Sequence, residues 1–399
     1  MPVGLGPGRA GIVGLAGIWR ACMLNVAFMT DQPPSWRPQR PRPPPPGFEC
    51  GERVATHDGH VASADDEAED VGVVSFYCTL PPLVSSSCDV KRKLTFSCRG
   101  RSVGALLPTE SSVDEAMLDS ADAYETVDPF LFNEDYSPAG KTGFQVWSGT
   151  RLLIESLCWV PITAEPNSEV TASEERLGYY QKQILSADES HDAMNGSSDR
   201  CNILELGSGV GVVGATLAAV GSNVMLTDLP TLVENAVWPN LMRNMHKENN
   251  NVKAPSWLKD AVRIGKGWAS ATPLDWTKPL SSGQLDWTKP LSPDQLNPSQ
   301  IESIDMIVAS DCVWLVSMLE ALLDTVRAVF EQSKRSPTFI MSFQRRDGGG
   351  DDSALFTTVD RVLTSVTGRG WSFDCLAWRP VQLGDGEGDK EVFIFEIRP

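Results

Sequence analysis

Histidine is scarce in this 399-residue chain, four in all, and its nine cysteines include no CxxC pair. These absences leave too few clustered ligands for a metal centre, and an odd number of scattered thiols reads as reduced cysteine inside the cell. Cys78, Cys88 and Cys98 recur every ten residues, but without further ligands in tight spacing they read as buried free thiols. No run of 18 uninterrupted apolar residues is present, which argues against a transmembrane helix and a membrane partner. Positive charge is also short: 34 Lys and Arg against 52 Asp and Glu leave a net charge of −18. That balance argues against nucleic acid as the main partner and allows a protein substrate with a basic surface. What is plentiful is apolar residue, 41%, enough for a real core.

Composition divides the chain into three. Residues 1–31 hold Arg9 and Arg20, no acidic residue before Asp31, and the apolar stretch "GIVGLAGIWRACMLNVAFM". This is either an organelle-targeting peptide or an unstructured start, with Met23 and Met29 as alternative first residues. "QPPSWRPQRPRPPPPGFE" follows, whose prolines predict an extended, unpacked linker, and "DDEAED" at 65–70 reads as a solvated run. Residues 1–70 are therefore expected to be a disordered extension. "VGVVSFYCTL" and "RKLTFSC" predict a hairpin within a small β-rich region at 71–126. The main domain is expected at 127–399.

There "WSGTRLLIESLCWV" has the spacing of an amphipathic helix, and 161–200 reads as a polar insertion. Strands are predicted at 202–206, 223–228, 261–265, 304–311 and 338–343, and helices at 211–220, 231–247, 315–332 and 353–367. Such alternation predicts an α/β fold with a mostly parallel sheet covered on both faces. Two final strands, 371–378 and 391–397, lack a helix between them and should form an antiparallel edge. "LDWTKPLSSGQ" at 274–284 is repeated as "LDWTKPLSPDQ" at 285–295, a local duplication in a loop.

Chemistry concentrates in "NILELGSGVGVVGATLAAVGSNVMLTDLP" at 202–230. A strand delivers Glu205 to its C-terminal end, and Gly207, Gly209 and Gly211 let the chain turn with a ligand against bare backbone. The next helix offers unpaired N–H groups, and Asp228 ends the second strand, where a carboxylate binds both hydroxyls of a ribose. An adenosine-type ligand follows. "GVGVVG" also fits the dinucleotide pattern. Glu205 weighs against NAD, because a carboxylate repels a pyrophosphate but meets the ammonium of S-adenosylmethionine.

"GFQVWSG", "LELGSGVGVVG", "TDLP", "LDW" and "ASDCVW", in that order, resemble the seven-β-strand, class I protein-lysine methyltransferases of the methyltransferase-like family over about residues 127–399. The resemblance implies a Rossmann-like, mostly parallel seven-stranded sheet with an antiparallel edge strand, and S-adenosylmethionine as cofactor. It implies that Gly207 and Gly209 approach the methionine portion and ribose, that Asp228 takes the ribose hydroxyls, and that Trp147 walls the methionine end. Trp276 or Trp287 would lie near the adenine, and Ala309 and Ser310 would line the pocket. Asp311 and Trp314 would be the catalytic pair, with Trp314 standing where the family pattern Asp-x-x-Tyr has tyrosine. Trp keeps a face for an alkylammonium but loses the phenol hydroxyl. Asp311 either orients a lysine amine or caps the following helix. Arg345 and Arg346 in "FQRRDGGGDD" either meet substrate or belong to a solvated loop.

The expected activity is methylation of a lysine on a protein, by a monomer in the cytoplasm, with the nucleus, or a mitochondrion or plastid if residues 1–31 are a targeting peptide, as alternatives. Methylation of a histidine ring or small-molecule amine, an inactive S-adenosylmethionine-binding protein, and an NAD oxidoreductase remain the competing readings.

Overall fold

The computed structural model describes residues 35–43, 71–80, 90–99, 142–158, 171–185, 200–246, 253–276, 296–313, 315–345, 357–381 and 390–399. Among them β1 (Val71–Leu80) and β2 (Val90–Arg99) form the expected antiparallel hairpin. Then come α1 (Ser148–Cys158), α2 (Ala172–Leu185), β3 (Asn202–Leu206), α3 (Val212–Val220) and β4 (Asn223–Asp228). A short helical run follows: α4 (Pro230–Leu232), a π turn (Val233–Val237) and α5 (Trp238–Asn244). The remainder is β5 (Val262–Ile264), β6 (Gly267–Pro273), α6 (Pro298–Glu302), β7 (Met306–Ser310), α7 (Val316–Gln332), β8 (Thr338–Gln344), α8 (Val359–Gly368), β9 (Ser372–Val381) and β10 (Lys390–Arg398).

The main sheet runs β5-β6-β4-β3-β7-β8-β10-β9. Strands β6, β4, β3, β7 and β8 are parallel, while β10 is antiparallel to both β8 and β9. The chain order reverses at β3, between β4 and β7, so a crevice opens at the C-terminal ends of these strands. Alternate strand residues feed two cores. Ile203, Val224 and Ile340 pack with α1, α2 and α3, whereas Leu204, Ile307 and Phe339 pack with α7 and α8. The α3 sequence VVGATLAAV carries no charge and is buried throughout, as a helix enclosed on every side must be. In α7, Leu319, Leu322, Leu323, Val326 and Val329 are buried at the i, i+3, i+4 spacing that lays one stripe on the sheet.

Four expectations change. The sheet has eight strands rather than seven, because β5 adds an antiparallel edge to β6. The parallel neighbour of β4 is β6, not the predicted 261–265 strand; "GWASATP" hides it behind residues poor in β-propensity. Part of the presumed polar insertion is α2, which buries Leu177, Tyr180 and Ile184. A capping box opens it: Glu174 Oε2 accepts from Thr171 N (2.8 Å), and Thr171 Oγ1 accepts from Glu174 N (3.3 Å). Residues 35–43 are packed, not loose: Trp36 lies 5.5 Å from the Phe393 ring and 5.7 Å from Phe395. Trp378 Nε1 donates to Pro38 O (2.8 Å), and Arg42 N donates to Trp378 O (2.9 Å). Proline forbids helix here but leaves carbonyls free to accept.

The hairpin is tied to the main body through one face of α5. Asn244 Oδ1 accepts from Thr95 N, and Asn240 Oδ1 from Ser97 N, both at 2.8 Å, while their amides donate back to Thr95 O and Ser97 O. Two asparagines four apart thus stand in for a neighbouring strand.

Candidate active site

A cavity of about 320 Å³ occupies the crevice, within the size range of small-ligand sites. Its floor is the turn after β3, where Gly207, Gly209 and Gly211 take φ of 68°, 55° and 84°, left-handed values that glycine alone adopts at no cost. The floor must also be bare. A Cβ on Gly207 would stand 2.6 Å from Cys312 Cβ and 3.0 Å from the Trp276 ring, and one on Gly209 would stand 2.8 Å from Gly143 O. Gly211 has a different duty. It does not line the cavity, and a side chain there would press on Leu226 (3.2 Å) and Val237, so it seats α3 against β4.

Asp228 is buried at the end of β4; its Oδ2 accepts from Gly209 N and its Oδ1 from Leu229 N, each at 2.7 Å. Burial pushes its carboxyl up to about 6, against the pull of these two N–H groups. Glu205 lies at the same end of β3, wholly buried, with Oε2 accepting from Gly214 N (3.1 Å). Burial is the main reason its carboxyl rises to about 8, with Asp228 adding to the rise. Two carboxyls, both with spare lone pairs, therefore face one cavity beside the N-terminus of α3. This suits a ligand bearing vicinal hydroxyls and an ammonium and repels a pyrophosphate, so the residues present fit S-adenosylmethionine.

Trp147 lines the cavity, its Nε1 donating to Thr142 O (3.3 Å), and Trp276 faces the Gly207 turn. Trp287 and Trp314 lie outside the described residues. Ser310 lines the cavity and shares hydroxyl contacts with Thr150 (3.0 Å) and Ser342 (3.1 Å). Ala309 does not line it: strand alternation turns it into the opposite core with Leu206 and Phe339. Arg345 is also outside the lining; its guanidinium pairs with Glu391 at 3.1 Å. Arg346 is not among the described residues.

Asp311 lines the cavity just past β7, at a left-handed φ of 50°. It is not a cap on α7, whose N-cap is Leu315 with no side-chain hydrogen bond. Instead Oδ2 accepts from Gly149 N in α1, and Oδ1 accepts from Gln344 N (2.7 Å) at the end of β8. Sequence reasoning missed Thr150, Leu229, Leu232, Leu274, Cys312 and Met318 in the lining. Leu229, next to Asp228, carried a signal in its position; Leu232, Leu274 and Met318 carried none, because they look like ordinary core leucine and methionine.

A family model described as lysine methyltransferase matches residues 171–264 and 269–362. No curated protein matches the sequence. Among solved structures, one from Pyrococcus horikoshii, described as a transferase, is 10% identical with a TM-score of 0.30, covering 55% of this chain and 63% of that one. The chain thus spans just under two thirds of that relative's length. Magnesium protoporphyrin IX methyltransferase of Synechocystis is 13% identical with a TM-score of 0.29, over 58% of this chain and 90% of that one. A methyltransferase of Methanosarcina mazei is 15% identical with a TM-score of 0.30, over 51% and 95%. Likenesses this slight add no weight to what the cavity and the family match establish. Over the matched segments, just under half of the chain, the sequence is similar to the lysine methyltransferases, and the mostly parallel sheet carries at its switch point a cavity whose lining fits S-adenosylmethionine.

Proposed function

We propose that this protein methylates the side-chain nitrogen of a lysine in a protein substrate. The observation that carries the reading is Asp311: a fixed carboxylate opening into the same cavity as the glycine turn and Asp228. When bound, S-adenosylmethionine would supply a sulfonium methyl to which the lysine nitrogen bonds, the sulfur leaving with the electrons of the broken carbon–sulfur bond as a neutral thioether. Lysine has a reference pKa of about 10.4, so the amine must lose a proton before it attacks. Asp311 orients that amine by accepting from its N–H, and Trp147 and Trp276 wall the cavity. Positioning, rather than strong base catalysis, is then the protein's main contribution.

The net charge of −18 suits a basic protein surface as partner. Among the described residues no helix is long and apolar enough to cross a membrane. Among the described residues Cys98, Cys158, Cys201, Cys312 and Cys375 are in no disulfide, which suits a reducing compartment such as the cytoplasm.

The test incubates the purified chain with radiolabelled S-adenosylmethionine and a hypomethylated cell extract, with Asp311→Ala as control. A discrete labelled protein band, absent from the control and yielding methyllysine on hydrolysis, is expected. Label recovered in methylhistidine or only in small molecules would overturn the lysine assignment.

A further inference from the structure

Gly149 stands at the second position of α1, buried, where alanine would favour the helix and glycine weakens it. Its backbone does not explain the choice, because its φ is not in the left-handed region. Space does. A Cβ at this position would lie 2.6 Å from Ser342 Oγ and 2.7 Å from Asp311 Cγ, and closer still to Asp311 Oδ2. The same oxygen accepts from Gly149 N. The bare backbone of α1 is thus pressed flat against the carboxylate.

We propose that Gly149 is a positioning residue for methyl transfer, holding Asp311 by its N–H at an approach that no side chain permits. This rests on the reading of Asp311 given above. The clamp has a second jaw, since Gln344 N binds Oδ1, so each oxygen receives one backbone donor and the carboxylate plane is fixed. Fixing is needed because Asp311 holds a φ of 50°, a conformation that costs an L residue energy unless its surroundings impose it. A methyl group on residue 149 must push the carboxylate off its donor, and a displacement of about 1 Å at a reacting group costs on the order of a hundredfold in rate. Gly207, Gly209 and Asp228, the cavity residues read above as meeting the cofactor's ribose and methionine portion, are on other elements.

The experiment compares the full chain with Gly149→Ala. Initial rates of label transfer from radiolabelled S-adenosylmethionine to the extract are read at saturating cofactor, with cofactor Kd by calorimetry and thermal unfolding alongside. Expected is a rate lowered about 10- to 100-fold with a Kd within about threefold of the parent. A rate within about twofold of the parent overturns the proposal, and so does loss of cofactor binding in step with rate in a folded variant. A second measurement needs neither the variant nor activity: amide hydrogen exchange at Gly149 in the parent and in Asp311→Ala. Exchange at least about tenfold faster in Asp311→Ala is expected; equal exchange overturns the clamp. A parent that labels no protein sinks the lysine reading, while the exchange result still decides the contact.

Discussion

Glu205 and Asp228 face one cavity with their carboxyls raised to about 8 and about 6, and both shifts come chiefly from burial. Each carboxyl binds its proton more tightly folded than unfolded, so the stability they contribute is present at low pH. It is lost as pH rises from about 4 through 6 for Asp228 and through 8 for Glu205. At pH 7, then, Glu205 mostly carries its proton in the free protein and Asp228 is mostly ionised. An ammonium brought beside Glu205 favours the carboxylate. S-adenosylmethionine binding near pH 7 should therefore release up to about one proton, measurable by calorimetry in two buffers of different ionisation enthalpy. Glu205→Gln should abolish the release, and no release in the parent would remove Glu205 from the ammonium site. Asp228→Ala should raise the cofactor Kd about 10- to 100-fold, the equivalent of a charge-assisted hydrogen bond; unchanged affinity would sink its ribose role. That Gly207, Gly209, Glu205 and Asp228 share one cavity was legible in the sequence because a strand–turn–helix–strand run, β3 to β4, fixes their relative places. Gly211 and Ala309 were misjudged because motif membership does not say which face a residue takes. The partners of Asp311 were unreadable because they lie 162 and 33 residues away.

The period of α7 and the apolar runs of β3, α3 and β4 bounded by glycines were readable from their own residues, whereas elements completed by neighbours were not. The strand β6 was hidden because its shape is set by close approach: a Cβ on Gly267 would collide with Ser222 O. The helix α2 was hidden among polar flanks, although its Thr171–Glu174 capping box was present in the sequence. How the hairpin joins the body depends on α5, and no local pattern announces that. Asn240 is the clearest case. Its side chain accepts from Ser97 N and donates to Ser97 O and to Val210 O (2.9 Å), so it joins β2 to a loop that lines the cavity. Asn240→Ala would leave these backbone groups without partners, at about 2–4 kcal/mol of stability. Chemical denaturation checks the figure, and a loss below about 1 kcal/mol would mean that water replaces the asparagine. Cofactor affinity should weaken in the same variant, because Val210 loses its anchor.

Across the whole molecule, the segment at 35–43 reaches the sheet edge far from the glycine turn and still bears on the site. Trp36 covers Phe393 and Phe395 of β10, and Arg37 lies 4.0 Å over the Trp378 ring of β9 while pairing with Glu391. Strand β10 in turn pairs with β8, Val392 opposite Gln344, and Gln344 N holds Asp311. A proline-dense stretch that composition marks as linker is thus the outer layer of a stack ending at the candidate catalytic carboxylate. Trp36→Ala removes that layer's main apolar contact. Trp36 is only partly buried, so the cost should fall below the 3–5 kcal/mol of a core tryptophan, at about 1–3 kcal/mol. For a domain of this size that lowers the thermal midpoint by about 2–10 °C. The cofactor cavity is built from other strands, so the Kd for S-adenosylmethionine should stay within about twofold of the parent. Scanning calorimetry with and without cofactor reads both quantities: a midpoint unchanged to within a degree or so would show that the segment only rests on the sheet. A parallel loss of cofactor affinity would show instead that its influence reaches past β8 into the glycine turn.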